Sequence, residues 1–406
     1  MEYVSIENLR EIIVEELQNY EGDEPIFLDF DKKLLQELFF TSNGRFDPTL
    51  EPIISKVDFS NMSFDGFCAE KYDFSKLHGV KINPQTVQDK KMFEAVLAGV
   101  EFIGSFDDVG ICYANFEGSI GAKINPQTIK DKDLIGAVLA GVEFIGPFDG
   151  VMTREANFKG SIGAKIDPQK IKGKSLISSN LADVEFIGHF AGVRISEVIF
   201  DGSKGAKISP TELQERKLGG SSFGDVEFVG SFDAVDVRHS CFKGSTGAII
   251  DPQIVLAKDL SNVIAEDVEF VSTRCNDLFF DVSINGTNFK GSVGAKINPE
   301  TVYNQDLSNV TATDVEFIGS FDDARIEGMN FEGSYGVKIN PQTIDELNLK
   351  NIKASGVEFI GSFMNTQIEG ADFEGSNYNE IVQYEQSFRQ KVKQQILIKQ
   401  QPNTFF

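Results

Sequence analysis

The chain has 406 residues and 62 acidic against 38 basic side chains, which gives a formal net charge of −24. An acidic surface of this kind argues against nucleic acids and anionic membranes as direct ligands. The four cysteines (Cys68, Cys112, Cys241 and Cys275) show no metal-binding spacing, so neither a disulfide framework nor a zinc site is expected. No apolar run approaches the length of a membrane span, and we expect a cytoplasmic protein with reduced thiols.

The first 50 residues predict a helical cap. The segment "SIENLREIIVEELQNY" starts with the N-cap residue Ser5 and places Ile6, Leu9, Ile13 and Leu17 on one helical stripe. The segment "DFDKKLLQELFF" predicts a second amphipathic helix. The alternative interpretation is a separate interaction domain.

A 42-residue unit then repeats seven times. The phenylalanine of the V-E-F motif marks each copy at Phe102, Phe144, Phe186, Phe228, Phe270, Phe317 and Phe359. The proline of the N-P-Q motif, or of its variants, follows the same steps, from Pro84 to Pro341. One step is 47 residues, so the fifth copy holds five extra residues, which we expect to leave the coil as a bulge.

Large apolar residues recur every five positions within a copy, which fits neither a helix nor a half-buried strand. The expected inward positions of the second copy are Ile124, Ile129, Leu134, Leu139, Phe144, Phe148, Thr153 and Phe158. Eight such positions make two four-sided coils, and Thr153 is the polar exception. An Asn, Asp or Ser precedes each motif proline, which predicts one short helical or 3₁₀ turn per copy.

The motifs "REANF" (Arg154–Phe158) and "IGAVL" (Ile135–Leu139) place a small residue two positions before a central Phe or Leu. From about residue 57 to 376, this pattern resembles the pentapeptide-repeat proteins. The resemblance implies an all-β repeat solenoid, a right-handed quadrilateral β-helix of about 20 residues per coil. We therefore predict a helical cap over 1–50, the β-helix with short helical turns over 51–376, and a C-terminal helix and tail over 377–406.

The coil register also predicts the outer surface. Lys123 and Glu143 lie 20 residues apart and should stack in adjacent coils, and the same spacing recurs in other copies. Ile249 replaces the lysine beside Glu269, close to the extra residues of the fifth copy. This surface is the candidate for contact with a partner protein, and it consists of Ile249, Glu269, Arg274, Asn276 and Asp277.

The C-terminal segment "NEIVQYEQSFRQKVKQQILIK" places Ile381, Tyr384, Phe388, Val392 and Ile396 at helical spacing. This helix caps the last coil, pairs with a second copy of the chain in a homodimer, or forms a free tail.

No catalytic, metal-binding or cofactor-binding constellation is evident, and the three histidines are scattered, so we expect no enzyme. The favoured function is a rigid acidic scaffold that binds a protein of unknown identity. The first alternative follows from the resemblance, because some pentapeptide-repeat proteins are dimeric DNA mimics that bind type II topoisomerases. The second alternative is a secreted effector that uses the solenoid as a docking rod.

Overall fold

The computed structural model describes residues 5–272 and 277–400, with side chains up to residue 395. The chain divides into two compact units, Met1–Ile208 and Ser209–Phe406. Within the described residues, no helix is both long enough and apolar enough to cross a membrane.

Two helices open the first unit. Helix α1 spans Ile6–Gln18 and helix α2 spans Lys32–Phe39. The predicted N-cap is confirmed, because the Ser5 hydroxyl accepts a hydrogen bond from the backbone N–H of Asn8 at 3.2 Å. Each helix buries the apolar residues of its inner face, which are Leu17 in α1 and Leu35, Leu38 and Phe39 in α2.

Two cationic side chains close the C-terminal ends of these helices. Lys56 Nζ donates to the carbonyl oxygens of Leu17 and Tyr20 at 2.9 and 2.8 Å. Arg10 Nε donates to the carbonyl of Leu38 at 2.7 Å, and its guanidinium also pairs with Asp47 at 2.8 Å. The last carbonyls of a helix lack intrahelical donors, so these contacts satisfy them. The Arg10 contacts join α1 to α2, and those of Lys56 join α1 to the start of the repeats.

Short parallel strands mark successive coils. In the first unit they are Ile26–Phe27, Val57–Asp58, Lys81–Ile82, Glu101–Phe102, Lys123–Ile124, Glu143–Phe144, Lys165–Ile166, Glu185–Phe186 and Lys207–Ile208. In the second unit they are Glu227–Phe228, Ile249–Ile250, Glu269–Phe270, Lys296–Ile297, Glu316–Phe317, Lys338–Ile339 and Glu358–Phe359. Helix α3, Tyr378–Gln400, ends this unit.

The strand register gives the length of a coil. Lys123 pairs with Glu143 and Ile124 pairs with Phe144 in parallel, so one coil takes 20 residues. The same register recurs in both units, for example between Ile297 and Phe317. The predicted β-solenoid with two coils per copy is therefore confirmed, and its handedness stays a prediction.

The predicted inward positions are all buried. None of Ile124, Ile129, Leu134, Leu139, Phe144, Phe148, Thr153 and Phe158 is more than 6% exposed. The two coils of a copy have different core side chains. Isoleucine and leucine fill one coil, and three phenylalanines with Thr153 fill the other. The rings of Phe144, Phe148 and Phe158 lie 5.0 to 5.8 Å apart in tilted and edge-to-face contacts, which suit aromatic quadrupoles.

The N-P-Q motif forms a hydrogen-bonded turn. Asn125 Oδ1 accepts from the backbone N–H of Gln127 at 3.0 Å, and the Asn125 carbonyl accepts from that of Thr128. The predicted 3₁₀ helix begins at the proline only in Pro210–Glu212; in the second copy it begins later, at Lys130–Lys132. The motif glutamine makes a separate contact with the next coil, because Gln127 Nε2 donates to the carbonyls of Pro147 and Asp149 at 3.0 and 2.6 Å.

Of the remaining short 3₁₀ segments, Pro48–Leu50 and Ile54–Lys56 precede the repeats, and the others begin after the N-P-Q motif or its variant. The others are Gln88–Lys90 and Lys172–Lys174 in the first unit, and Gln214–Arg216, Leu256–Lys258, Tyr303–Gln305 and Asp345–Leu347 in the second.

The five extra residues of the fifth copy add no side to the coil. Phe279 takes the second ring position and lies 5.5 Å from Phe270 and 5.6 Å from Phe289, as in the other copies. Gln253 Nε2 bonds to the carbonyls of Leu278 and Phe280, each five residues further along than the usual partner. The core register is thus restored by residue 278, as the sequence predicts.

Candidate interaction surfaces

A ladder of ion pairs runs along one side of the coils. Lys123 Nζ lies 2.9 Å from Glu143 Oε2, in the register that the sequence predicts. Equivalent pairs at 2.7 to 3.1 Å are Lys81–Glu101, Lys165–Glu185, Lys296–Glu316 and Lys338–Glu358. Each pair is partly exposed, so solvent screening limits its contribution to about 0.2–1 kcal/mol.

Exposed isoleucines lie beside this ladder in the first unit. We define the isoleucine stripe as Ile103, Ile120, Ile145, Ile162 and Ile187, which are each 60% to 63% exposed. Along one strand, Glu143 and Ile145 both point outward because the intervening Phe144 is buried. On the adjacent coil, Ile162 is the bridge partner of Glu143, so aliphatic groups flank the carboxylate on two sides.

Sequence reasoning missed the isoleucine stripe. The signal was present, because an isoleucine or valine follows the phenylalanine of every V-E-F motif. A pattern of inward residues every five positions accounts for the phenylalanine and leaves the next residue outside the coil. Isolated exposed apolar residues are ordinary, whereas a regular row of them at one coil position is a candidate contact surface.

The structure brings together part of the surface predicted in the fifth copy. Ile249 is the register partner of Glu269 and is 46% exposed, and exposed Val293 follows on the next coil. Asp277 is half-buried and accepts a hydrogen bond from Thr301 Oγ1 at 2.7 Å, so it stabilises the return to the coil.

The other two residues of that surface, Arg274 and Asn276, lie outside the described residues, as does Cys275.

The last strand is closed by a side chain and not by another coil. Asn377 Oδ1 accepts from the backbone N–H of Phe359 at 2.8 Å, and its Nδ2 donates to the Phe359 carbonyl at 2.9 Å. The amide thus replaces the missing neighbouring strand at an exposed sheet edge. The Tyr378 ring stacks on Phe373 at 4.0 Å, so the start of α3 covers the end of the coil.

Beyond this first turn, α3 presents apolar side chains to solvent. Tyr384 is 73% exposed and Phe388 is 58% exposed, and Val392 continues the same stripe. Ile396, which the sequence pattern places on this stripe, lies beyond the described side chains.

The described residues bring no group of three or more His, Cys, Asp or Glu side chains together around a metal-sized site. The thiol of Cys112 is also unsuited to nucleophilic chemistry. Burial raises the pKa of Cys112 to about 12, and the nearby Asp133 carboxylate acts in the same direction. Since the thiolate is the reactive form, this cysteine is protonated at neutral pH.

No protein-family model and no curated protein matches the chain. Among solved structures it is similar to HetL, a pentapeptide repeat protein involved in heterocyst differentiation regulation from the cyanobacterium Nostoc sp. strain PCC 7120. The identity is 11% over 73% of this chain and 88% of that chain, with a TM-score of 0.15. Another similar structure is trypsin-treated QnrB1, a plasmid-mediated fluoroquinolone resistance protein, with 11% identity, 71% and 92% coverage and a TM-score of 0.14. The assignment to a β-solenoid rests on the coil register and the buried columns described above.

Proposed function

We propose that the chain is a non-enzymatic, acidic, protein-binding scaffold, and that the isoleucine stripe of the first unit is its principal docking face. The observation that carries this proposal is the regular exposure of Ile103, Ile145 and Ile187 at one coil position, beside the ion-pair ladder. The free thiols of Cys68, Cys112 and Cys241 support a reducing compartment such as the cytoplasm.

The residues of the docking face indicate which kind of partner surface would bind it. Its lysines and glutamates already pair with each other, so they contribute little attraction and mainly select against a partner of uniform charge. Burial of the isoleucines supplies the favourable free energy, at about 25 cal/mol for each Å² of apolar surface. The partner is therefore a protein with an elongated apolar ridge that matches the spacing of the coils.

A crosslinked pull-down from native lysate tests this proposal with a pair of variants. The double variant Ile145→Lys and Ile187→Lys should lose the partner that the wild-type chain captures. The matched control is Ile199→Lys, because Ile199 is 42% exposed and lies on the side of the coil that buries Phe200. Equal capture by the double variant and the wild type would rule out the stripe as the docking face.

The surface around Ile249 and Glu269 is a second contact region in this proposal. Ile249 breaks the ladder, so Glu269 faces an aliphatic neighbour and not a lysine. Ile249→Lys restores the ladder and should weaken capture of the partner, whereas Ile264→Lys, at another exposed position, should leave it unchanged.

We also propose that α3 pairs with a second copy of the chain. The exposed Tyr384 and Phe388 support this proposal, since they leave an apolar helical stripe uncovered. Tyr384→Glu should convert a dimer to a monomer in sedimentation equilibrium. Gln386→Glu adds the same charge on the opposite face and should leave the dimer intact.

Topoisomerase binding by DNA mimicry is the alternative function. The net charge of −24 favours it, but alternation of lysine and glutamate on the ladder gives that side no continuous negative charge. A supercoiling assay with purified gyrase separates the two functions, since a scaffold for another protein should leave the supercoiling rate unchanged.

A further inference from the structure

Thr153 is a polar residue in a column that is otherwise aliphatic. The equivalent inward residues in the first unit are Ile111 and Ile195, while Thr153 is buried to 1% exposure. Its Oγ1 lies 3.5 Å from the carbonyl oxygen of Ser175, which is too long for a strong hydrogen bond. The core therefore contains a hydroxyl group that coil packing does not require.

A cleft of about 290 Å³ opens between the coils at this point, within the first unit. Its polar lining comes from Thr153, Arg154, Lys172, Ser175 and Arg194. These residues belong to successive levels of the solenoid, since Ser175 is the parallel bridge partner of Arg194 on the next coil. Donors therefore face the cleft from more than one direction.

Two of these polar groups lack partners. Arg194 Nε and Ser175 Oγ are shielded from solvent and make no hydrogen bond within the described part of the chain. Ser175 as a whole is only 8% exposed. Leaving a buried polar group unsatisfied costs about 1–3 kcal/mol, more when it is charged, so such groups in native structures usually meet a ligand or water.

The cleft is cationic in an acidic protein. Arg154, Lys172 and Arg194 line it, and no aspartate or glutamate is among its lining residues. Of the three cations, Arg154 has a carboxylate partner, because its Nε pairs with the adjacent Glu155 at 3.1 Å. Within the described residues neither Lys172 nor Arg194 has a carboxylate partner, so their charges are available to an anion.

The second unit contains the equivalent cleft with the opposite charge. One period-matched position there holds Glu327 in place of Arg154, and another holds Asp345 in place of Lys172. Arg325, which also lines this cleft, is neutralised by Asp345 at 2.8 Å. The backbone of the 42-residue repeat therefore does not by itself create a cationic cleft.

We propose that the cleft of the first unit binds a small tetrahedral oxyanion of the size of inorganic phosphate or sulfate. Arg194 and Lys172 supply charge-assisted donors, while the hydroxyl of Ser175 donates from the coil wall. Donors at several levels suit four oxygens arranged around one centre better than the single plane of a carboxylate.

Equilibrium dialysis of the full chain against ³²P-labelled orthophosphate, at fixed ionic strength in chloride, tests the proposal. We expect one phosphate per chain, displaced by unlabelled sulfate and not by acetate. Arg194→Gln should weaken binding by about tenfold or more, through loss of a charge-assisted bond. Lys172→Gln, at an exposed corner where the fold is not at risk, should weaken it several-fold.

The matched control is Arg325→Gln in the second cleft, which should bind phosphate as the wild type does. Wild-type affinity in both Lys172→Gln and Arg194→Gln would overturn the proposal, and so would equal displacement by acetate and sulfate. Circular dichroism and the thermal midpoint establish that each variant is folded. A loss of binding in the folded Lys172→Gln protein supports the site even if Arg194→Gln does not fold.

Discussion

The two units build the same coil side from different residues. In the first unit, a side is filled by Leu139 together with the small Ala137, two positions earlier. In the last three copies, all in the second unit, the large position holds alanine and the small position is enlarged, as in Ala312 with Val310. All four residues are fully buried, so the side preserves its filled volume while both residues change.

The clefts between coils, in contrast, do not preserve their chemical character from one unit to the other. Lys172 and Arg154 of the first unit correspond to Asp345 and Glu327 of the second, so the charge is reversed while the coil geometry is kept. Interior positions are thus constrained as pairs by packing, whereas outward positions are free to differ between copies. Properties specific to one copy must be sought among the outward residues and their polar neighbours.

The largest effect should come from breaking the interior pair. Leu139→Ala leaves a cavity beside Ala137 and should lower the free energy of unfolding by about 2–5 kcal/mol, measured by urea denaturation. The double variant with Ala137→Val copies the residue types at positions 312 and 310 and should recover at least half of the loss. A double variant no more stable than Leu139→Ala would contradict the exchange of volume between the two positions.

A bidentate ion pair in the second unit provides the next test. Asp236 occupies the position equivalent to Arg194, and Arg238 donates to it through two nitrogens at 2.9 and 2.7 Å. Asp236→Asn should cost about 1–3 kcal/mol at neutral pH, because the buried Asp236 loses its charge-assisted bonds with the half-exposed Arg238. Arg194→Gln, which breaks no such pair, should cost less.

This cost should depend on pH. Hydrogen bonds from Arg238 lower the pKa of Asp236 below its ordinary value. The stabilisation is therefore complete above the unfolded pKa, about 3.9, and is lost as the pH falls through the lowered folded pKa. Urea denaturation should find wild type and Asp236→Asn converging in stability between about pH 4 and pH 2. A difference independent of pH would assign the effect to packing.

A smaller effect should come from exchanging the polar and apolar core residues of the two clefts. Thr153→Ile removes a poorly bonded hydroxyl and should raise the free energy of unfolding by about 1 kcal/mol. The reverse change, Ile326→Thr, should lower it by about 1–2 kcal/mol. Urea denaturation curves measure both changes in the free energy of unfolding. A destabilised Thr153→Ile protein would mean that the hydroxyl has a structural role.

The smallest effect should come from the ladder. Lys123→Ala removes one exposed pair and should change stability by no more than about 0.5 kcal/mol, less at high salt. A loss above about 1 kcal/mol in thermal or urea denaturation would show that the pairs act together to hold the coil register.

Much of the fold could be predicted because a repeat samples each position several times. The period of 42 and the columns of Ile124 and Leu134 fix which residues point inward, and the Lys123–Glu143 pair follows from a coil of 20 residues. The contact of the glutamine in the N-P-Q turn was harder to predict, because Gln127 bonds to another coil, 20 residues further along.

The candidate surfaces were less predictable for a physical reason. The isoleucine stripe lies outside the inward pattern, and the pattern reports only burial. The oxyanion cleft combines residues from two copies, and only the spacing of adjacent coils brings Thr153 close to Ser175 and Arg194. The sequence marked Thr153 as an exception without indicating its neighbours.

A crystal structure of the full chain grown with selenate tests most directly whether outward residues give the two equivalent clefts different functions. Anomalous diffraction locates each selenium atom independently of the protein phases. We predict a peak in the cleft of the first unit, within hydrogen-bonding distance of Arg194 and Ser175, and none in the cleft lined by Arg325 and Asp345. Peaks in both clefts, or in neither, would contradict this account.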